Sequence, residues 1–323
     1  MRIDHRPRPE ERPVDHGDRP PVSHAPAREL RDVLPAKETP ERLAFFAGLH
    51  AQAVQRLDVP TVTPSRDAIV GARLDAFRDG FSGPYVVDGT SVTARPMFRM
   101  NGGANEASAR QRAPELRRIA ARAGVNVEMI RLGQGSPRDL VKMTQALIDS
   151  GRLPPPPGDV ATRIRRMQWE WGIGVDCAGY TYQAAVAASG ASPKSLGLRP
   201  LGMESFRSLD HNRAFRKIEP SSARPGDVMT LDPLPPERVG HNVIVRSHTT
   251  AGTRHFIEVD SSWGAGPDGA DYGGFRRDTW IYDESTKLWT SFDAHETPPV
   301  ARTSSAGPAG ERFHGCYRPK VGT

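Results

Sequence analysis

The first 36 or so residues show no apolar periodicity. Proline, arginine, aspartate and histidine follow one another without a stripe that a helix or strand could bury. Such a stretch buries too little apolar surface to offset the entropy of ordering it, and it reads as a disordered leader. Helical spacing begins at Thr39-Pro40-Glu41, a cap residue followed by proline at the first helical position, with Leu43, Phe46, Leu49, Ala53 and Leu57 on one face. A second helix is predicted from Ser65 to Asp79, stopped at Gly80, and another from Pro114 to Ala123, stopped at Gly124. Between them, Tyr85-Val86-Val87-Asp88-Gly89-Thr90 predicts a short hairpin. Ser136-Pro137-Arg138-Asp139 is a capping box, and Leu140, Met143, Leu147 and Ile148 give its helix a buried stripe.

The stiff run Pro154 to Pro157 marks the predicted main domain boundary. Beyond it a short helix carrying Val160, Ile164 and Met167 leads into Trp169-Glu170-Trp171-Gly172, and a helix-forming run follows from Tyr182 to Ala188. From Gly226 the period changes. Asp227 to Leu231, His241 to Arg246 and His255 to Asp260 are short, β-rich strands. Trp280-Ile281-Tyr282 and Lys287 to Phe292 flank a hairpin loop, Asp283 to Thr286, and Phe313 to Arg318 adds an edge strand. Helices first and strands afterwards predict an α+β fold, with an antiparallel sheet packed on the helix that starts near Cys177. The expected organisation is a leader (1–36), a mainly helical domain (37–153) and a second domain (158–323) with an extended C-terminal β tail.

Composition alters this picture in two ways. The chain has 323 residues, of which 37% are hydrophobic, with 30 prolines and 31 glycines, so part of it is expected not to pack. Its net charge of +6 is compatible with an anionic polymer as partner but requires none. The basic stretch Arg110, Arg112, Arg117, Arg118 and Arg122 has no interleaved aromatics; it reads as a solvated helix face, and no nucleic-acid partner is expected. No run reaches the length of a membrane span, and the start, Met1-Arg2-Ile3-Asp4-His5, lacks the apolar core of a signal peptide. Export would therefore need a specialised route.

The candidate chemistry centres on a thiol. Cys177, in Gly174-Val175-Asp176-Cys177-Ala178-Gly179-Tyr180, sits where a Gly- and Trp-rich loop gives way to a helix. Unpaired N–H groups and the helix dipole favour thiolate there, and the thiolate is the nucleophile. A cysteine hydrolase also needs an imidazole and a polar group to orient it. His241 follows Gly240, opens a strand, and shares a face with Val243 and Val245, which is expected to point inward. Glu258, mid-strand beside Asp260, is the candidate orienting group, with Asp260 as the alternative. His241, His248 and His255 recur every seven residues, a step that suits metal ligands on neither strand nor helix, so no metal or cofactor is expected. Cys316 reads as a structural thiol. Pairing it with Cys177 would silence the nucleophile.

Three motifs resemble the NlpC/P60 cysteine peptidases of the papain-like superfamily. Asp176-Cys177-Ala178-Gly179-Tyr180 is similar to the family's Asp-Cys-Ser/Ala-Gly-aromatic signature, Arg224-Pro225-Gly226-Asp227-Val228 to its Pro-Gly-Asp-Leu/Val element, and Gly240-His241-Asn242-Val243-Ile244-Val245 to the strand begun by the catalytic histidine. Ile257-Glu258-Val259 falls where the third member is found. The likeness covers roughly residues 160–262. It departs from the pattern at Trp169-Glu170-Trp171-Gly172-Ile173, where the family often has a tyrosine ahead of a Trp-Gly-Gly stretch, and at Asn242, where a small apolar residue is usual. The resemblance implies amide hydrolysis through a thioester: Cys177 attacks, His241 moves protons and Glu258 orients it. A peptidoglycan stem peptide or another peptide is the implied substrate. The missing signal peptide suits an effector or toxin with a delivery apparatus or an immunity partner. Relatives of the fold also act as acyltransferases or proteases, and a binding module that keeps the core without activity is the competing class.

Overall fold

The computed structural model describes residues 64–99, 106–198, 209–232, 240–264, 273–293 and 300–321. The expected leader and the helix at Thr39 lie outside these residues. All the described residues belong to one compact unit, Thr63–Thr323.

Most helices start where a side chain satisfies an orphan N–H. Helix α1 (Arg66–Asp79) is capped by Ser65, α3 (Val127–Arg131) by Asn126, α4 (Pro137–Asp149) by Ser136, α5 (Val160–Trp171) by Asp159 and α6 (Cys177–Ser189) by Asp176. Helix α2 (Glu106–Ala123) begins before the expected start at Pro114 and carries that proline inside it. Strands β1 (Tyr85–Val87) and β2 (Thr90–Val92) form the expected hairpin, with Asp88 and Gly89 both at positive φ, as an Asp-Gly turn requires.

The remaining strands are β3 (Phe215–Ile218), β4 (Val228–Asp232), β5 (His241–Ala251), β6 (Arg254–Trp263), β7 (Gly274–Asp283), β8 (Leu288–Asp293), β9 (Val300–Ser304) and β10 (Arg312–Pro319). They make one antiparallel sheet in the order β3-β10-β4-β5-β6-β7-β8-β9. The architecture is α+β, with the sheet packed on α6. The C-terminal strand, expected at an edge, instead lies between β3 and β4.

The two faces of the sheet bury different things. On one face Val228, Ile244, Phe275 and Tyr317 join a single core with Ala178, Tyr180 and Ala184 of α6, Leu74 of α1, Leu116 of α2 and Leu140 and Leu147 of α4. Residues on both sides of the expected boundary at Pro154–Pro157 fall in one compact unit, and Leu74, Leu116, Leu140 and Leu147 from before it share this core with α6 and the sheet. On the other face Met229, Leu231, Val243, Val245, Ile257, Val259, Trp280, Tyr282 and Trp289 form a second core that includes Cys316. The sheet curls round this core. Trp289 of β8 meets Phe313 of β10 with ring centroids 4.9 Å apart, although five places separate those strands in the sheet.

Candidate active site

The loop leading to Cys177 is pinned on several sides. The Val175 N–H donates to the Met97 carbonyl (3.1 Å), the Val175 carbonyl accepts from Arg99 N–H (3.2 Å) and from Ser262 Oγ (2.6 Å), and the Asp176 N–H donates to the Gly133 carbonyl (2.9 Å). Asp176 then caps α6, its carboxylate accepting from Gly179 N–H. Gly179 is required by close approach: a Cβ there would stand 2.1 Å from the Gly133 carbonyl oxygen and 2.8 Å from Gln134 Cα. Both contacts are backbone and cannot swing away. Gly179→Ala is expected to destabilise the fold by about 3 kcal/mol, read as a fall in midpoint in urea titration with an unchanged slope.

Cys177 is a free thiol, 6% exposed. Burial pushes its pKa up to about 12, the Asp176 charge adds to the rise, and the Asn242 backbone N–H, which reaches the thiol, opposes it. The resting group is therefore the neutral thiol, not the thiolate expected of a helix start. Desolvation outweighs the dipole, and the Asp176 carboxylate already takes the Gly179 and Ala178 N–H groups.

Asp176 titrates unusually itself. Burial raises its carboxyl from 3.8 to about 7, against the pull of its backbone hydrogen bonds and Arg99. The folded state thus holds this proton more tightly than the unfolded chain does. The stability linked to it is fully present below pH about 4 and is lost as pH rises through about 7. Asp176→Asn keeps a cap but removes the titration, so above pH 8 it is expected to be more stable than the wild type by about 3 kcal/mol. Melting curves of both proteins from pH 5 to 9 check this: the gap should open as pH rises.

His241 opens β5 as expected and is buried, with 7% of the residue exposed. It pairs with Leu231 and lies on the face of Val243 and Val245. That face does point inward, but into the core of the curled sheet, away from α6. Asn242, paired with Thr230, stands on the α6 face instead. The imidazole stacks on the Trp263 indole, with centroids 3.7 Å apart at 32°, and the Arg276 guanidinium lies 5.0 Å from the same indole. Burial first, and Arg276 second, bring the His241 pKa down to about 3. Among the described residues its buried Nε2 has no hydrogen-bond partner. Among the described residues no hydrogen bond joins Cys177 to His241, although the thiol meets the backbone one residue along.

Neither candidate orienting carboxylate is beside His241. Glu258 pairs with Ser247, whose hydroxyl donates to it at 2.5 Å, and it stands five residues before Trp263, about 16 Å along the strand. Asp260 pairs with Ile244 and holds Arg277 through Nε (2.7 Å) and a terminal nitrogen (2.8 Å). The expected Cys177–His241–Glu258 grouping is thus corrected in its third member. β6 runs antiparallel to β5, so the head of β5 faces the C-terminal end of β6. Trp263 is the residue that sequence reasoning missed. The hairpin turn alone, with Ala251 on Arg254, does not reveal it: a bulge between Val245 and Ser247 shifts the register to that of Ile244 on Asp260, and continuing this register past the last pair brings 263 toward 241.

At the far end of that hairpin His248 Nε2 and His255 Nδ1 stand 3.1 Å apart. Among the described residues no three His, Cys, Asp or Glu side chains converge as metal ligands, and no helix is long and apolar enough to cross a membrane. The arginines of α2 are partly engaged: Arg110 pairs with Glu106, Arg112 with Glu170 and Arg117 with Glu128. Compared with known proteins, the chain matches no family model, no curated protein and no solved structure.

Proposed function

We propose that the chain is a cysteine hydrolase of papain-like, NlpC/P60 type, which opens an amide bond through a thioester on Cys177. The observation that carries this reading is the junction of helix and strand. Cys177 heads α6 at the point where the head of β5 meets it, so that the N–H of Asn242 reaches the thiol and His241 is the adjacent residue. His241 takes the thiol proton when its ring turns to the α6 face. The thiolate adds to the amide carbonyl, the imidazolium protonates the departing amine, and the C–N bond breaks to leave the thioester. Water, deprotonated by the imidazole, then releases the acid and restores the thiol. The Cys177 N–H, at the helix start, is suited to receive the oxyanion.

The substrate favoured by the sequence motifs is a peptidoglycan stem peptide, with delivery to another cell and an immunity partner as the matching biology. Mass spectrometry of cell-wall fragments incubated with the full chain tests it. New termini that are absent with His241→Ala support the assignment. Fragments left intact at high protein concentration, beside cleavage of a general peptide library, would move the substrate to other amides.

A second reading, a binding module without activity, is favoured by one observation: thiol and imidazole are both neutral and no hydrogen bond joins them. Alkylation separates the two. The hydrolase reading expects iodoacetamide to label Cys177 at pH 7 faster with substrate-like peptide present, whereas the binding reading expects no labelling either way.

A further inference from the structure

We infer that Trp263 is the positioning residue of His241: its indole holds the imidazole on the inner face of the sheet and so keeps the Cys177 site at rest. The inference goes beyond the hydrolase reading, which concerns the active arrangement and uses neither the tryptophan nor its strand. Its consequence for turnover rests on that reading.

The geometry is specific. Ile244 pairs with Asp260, Trp263 lies three residues beyond that pair and His241 three before it, and the rings meet at 3.7 Å between centroids, far closer than the usual aromatic spacing of about 4.5–7 Å. Arg276, on the neighbouring β7, lies over the same indole and is itself held by Asp278 at 2.6 Å. The indole thus sits against an imidazole and a guanidinium together, and a cation so near opposes a second positive charge on the imidazole. Leu231 and Val243 supply apolar neighbours on the same face. Of the other charged groups, Asp176 and Glu311 act on the thiol. Among the described residues no carboxylate meets the ring Nε2, so the stack takes over the task of fixing it that a polar third member performs in a triad.

Stacking therefore has two effects at once. It fixes the plane of the imidazole, and it holds the ring on the inner face of the sheet, where the alternation of the strand places it. Turning the ring to the α6 face has to break the stack. Removing the indole should free the ring, solvate it and let it take the thiol proton.

Two measurements on the full chain test this. The first is NMR titration of the histidine ring protons, with the His241 signal assigned by its loss in His241→Asn. In the wild type this signal should stay flat from pH 5 to 8. In Trp263→Ala it should titrate in the ordinary histidine range, about 6–7. Trp263→Phe keeps an aromatic face and should stay flat, which also controls for damage to the fold. The second is the iodoacetamide rate at Cys177 at pH 6.5, with Cys177→Ala giving the background from Cys316. Trp263→Ala should label at least tenfold faster, Trp263→Phe at the wild-type rate, and Trp263→Ala/His241→Ala should lose the gain.

A flat His241 signal in Trp263→Ala overturns the inference. So does a labelling gain that survives without His241, because it would report exposure alone. The hydrolase reading fails separately. If the gain depends on His241 and yet no variant cleaves any peptide, Trp263 positions the ring but the site does not hydrolyse. If the wild type cleaves and Trp263→Ala changes neither measurement, the hydrolase stands and the resting role falls.

Discussion

Cys177→Ala is expected to lower amide hydrolysis by a factor on the order of 10⁶, to whatever residual rate binding and oxyanion donors sustain. The loss is that large because a thioester pathway has no second route: without the sulfur no covalent intermediate forms, and the rest of the site has only water to work with. His241→Ala should cost nearly as much, and the double variant little more than either single one, since the two act as a unit. That non-additivity is the informative result. Two losses that simply multiply would mean that His241 supports the fold and not the chemistry. Product appearance on a chromogenic peptide amide, with circular dichroism to confirm folding, reads all three variants.

The largest effect on stability is expected at Arg318. Its guanidinium binds Asp227 through Nε at 3.0 Å and a terminal nitrogen at 2.8 Å, and the same terminal nitrogen donates to the Ser222 carbonyl. The side chains are 7% and 2% exposed. Burial pushes the Asp227 carboxyl above its ordinary value even with the guanidinium beside it, while that carboxylate raises Arg318. The two directions reflect opposing effects, desolvation on one partner and pairing on the other. Asp227 governs the outcome, because truncating Arg318 leaves a buried carboxylate behind. Arg318→Ala is expected to cost about 3–5 kcal/mol. Asp227→Asn/Arg318→Met, which removes both charges and keeps some volume, should recover much of that loss. Guanidinium unfolding of the set checks it, and a double variant as unstable as Arg318→Ala would contradict the argument.

Local chemistry was legible in the sequence wherever it was self-contained. The caps at Ser65 and Ser136, the Asp88-Gly89 turn and the Asp283–Thr286 loop between β7 and β8 all follow from residues within a few positions of one another. So did the α+β class and the placement of Cys177 at a helix start. What failed depended on partners far away in the chain. Glu258 looked like a carboxylate in need of an imidazole, but Ser247 and not His241 stands across from it, in the register set by the turn between β5 and β6. The boundary at Pro154–Pro157 looked like a break because prolines stiffen a chain locally. Nothing local shows that Leu74 and Leu140 share a core with Ala184 and Ile244. The thiol expected to be ionised is neutral because burial, a property of the finished fold, outweighs the helix end.

Strand β10, set between β3 and β4, carries a consequence for how the chain is made. Among the described residues β3 pairs with β10 alone, and β4 has β10 as one of its two neighbours. During synthesis the helix bearing Cys177 emerges more than a hundred residues before the strand that joins those two. Until it arrives, β3 and β4 lack the strand that joins them, so the nascent chain holds Cys177 on an incomplete scaffold. Loop closure over such separations is slow compared with local helix formation. The core that seats α6 on the sheet is therefore complete only once Tyr317 of β10 has joined it.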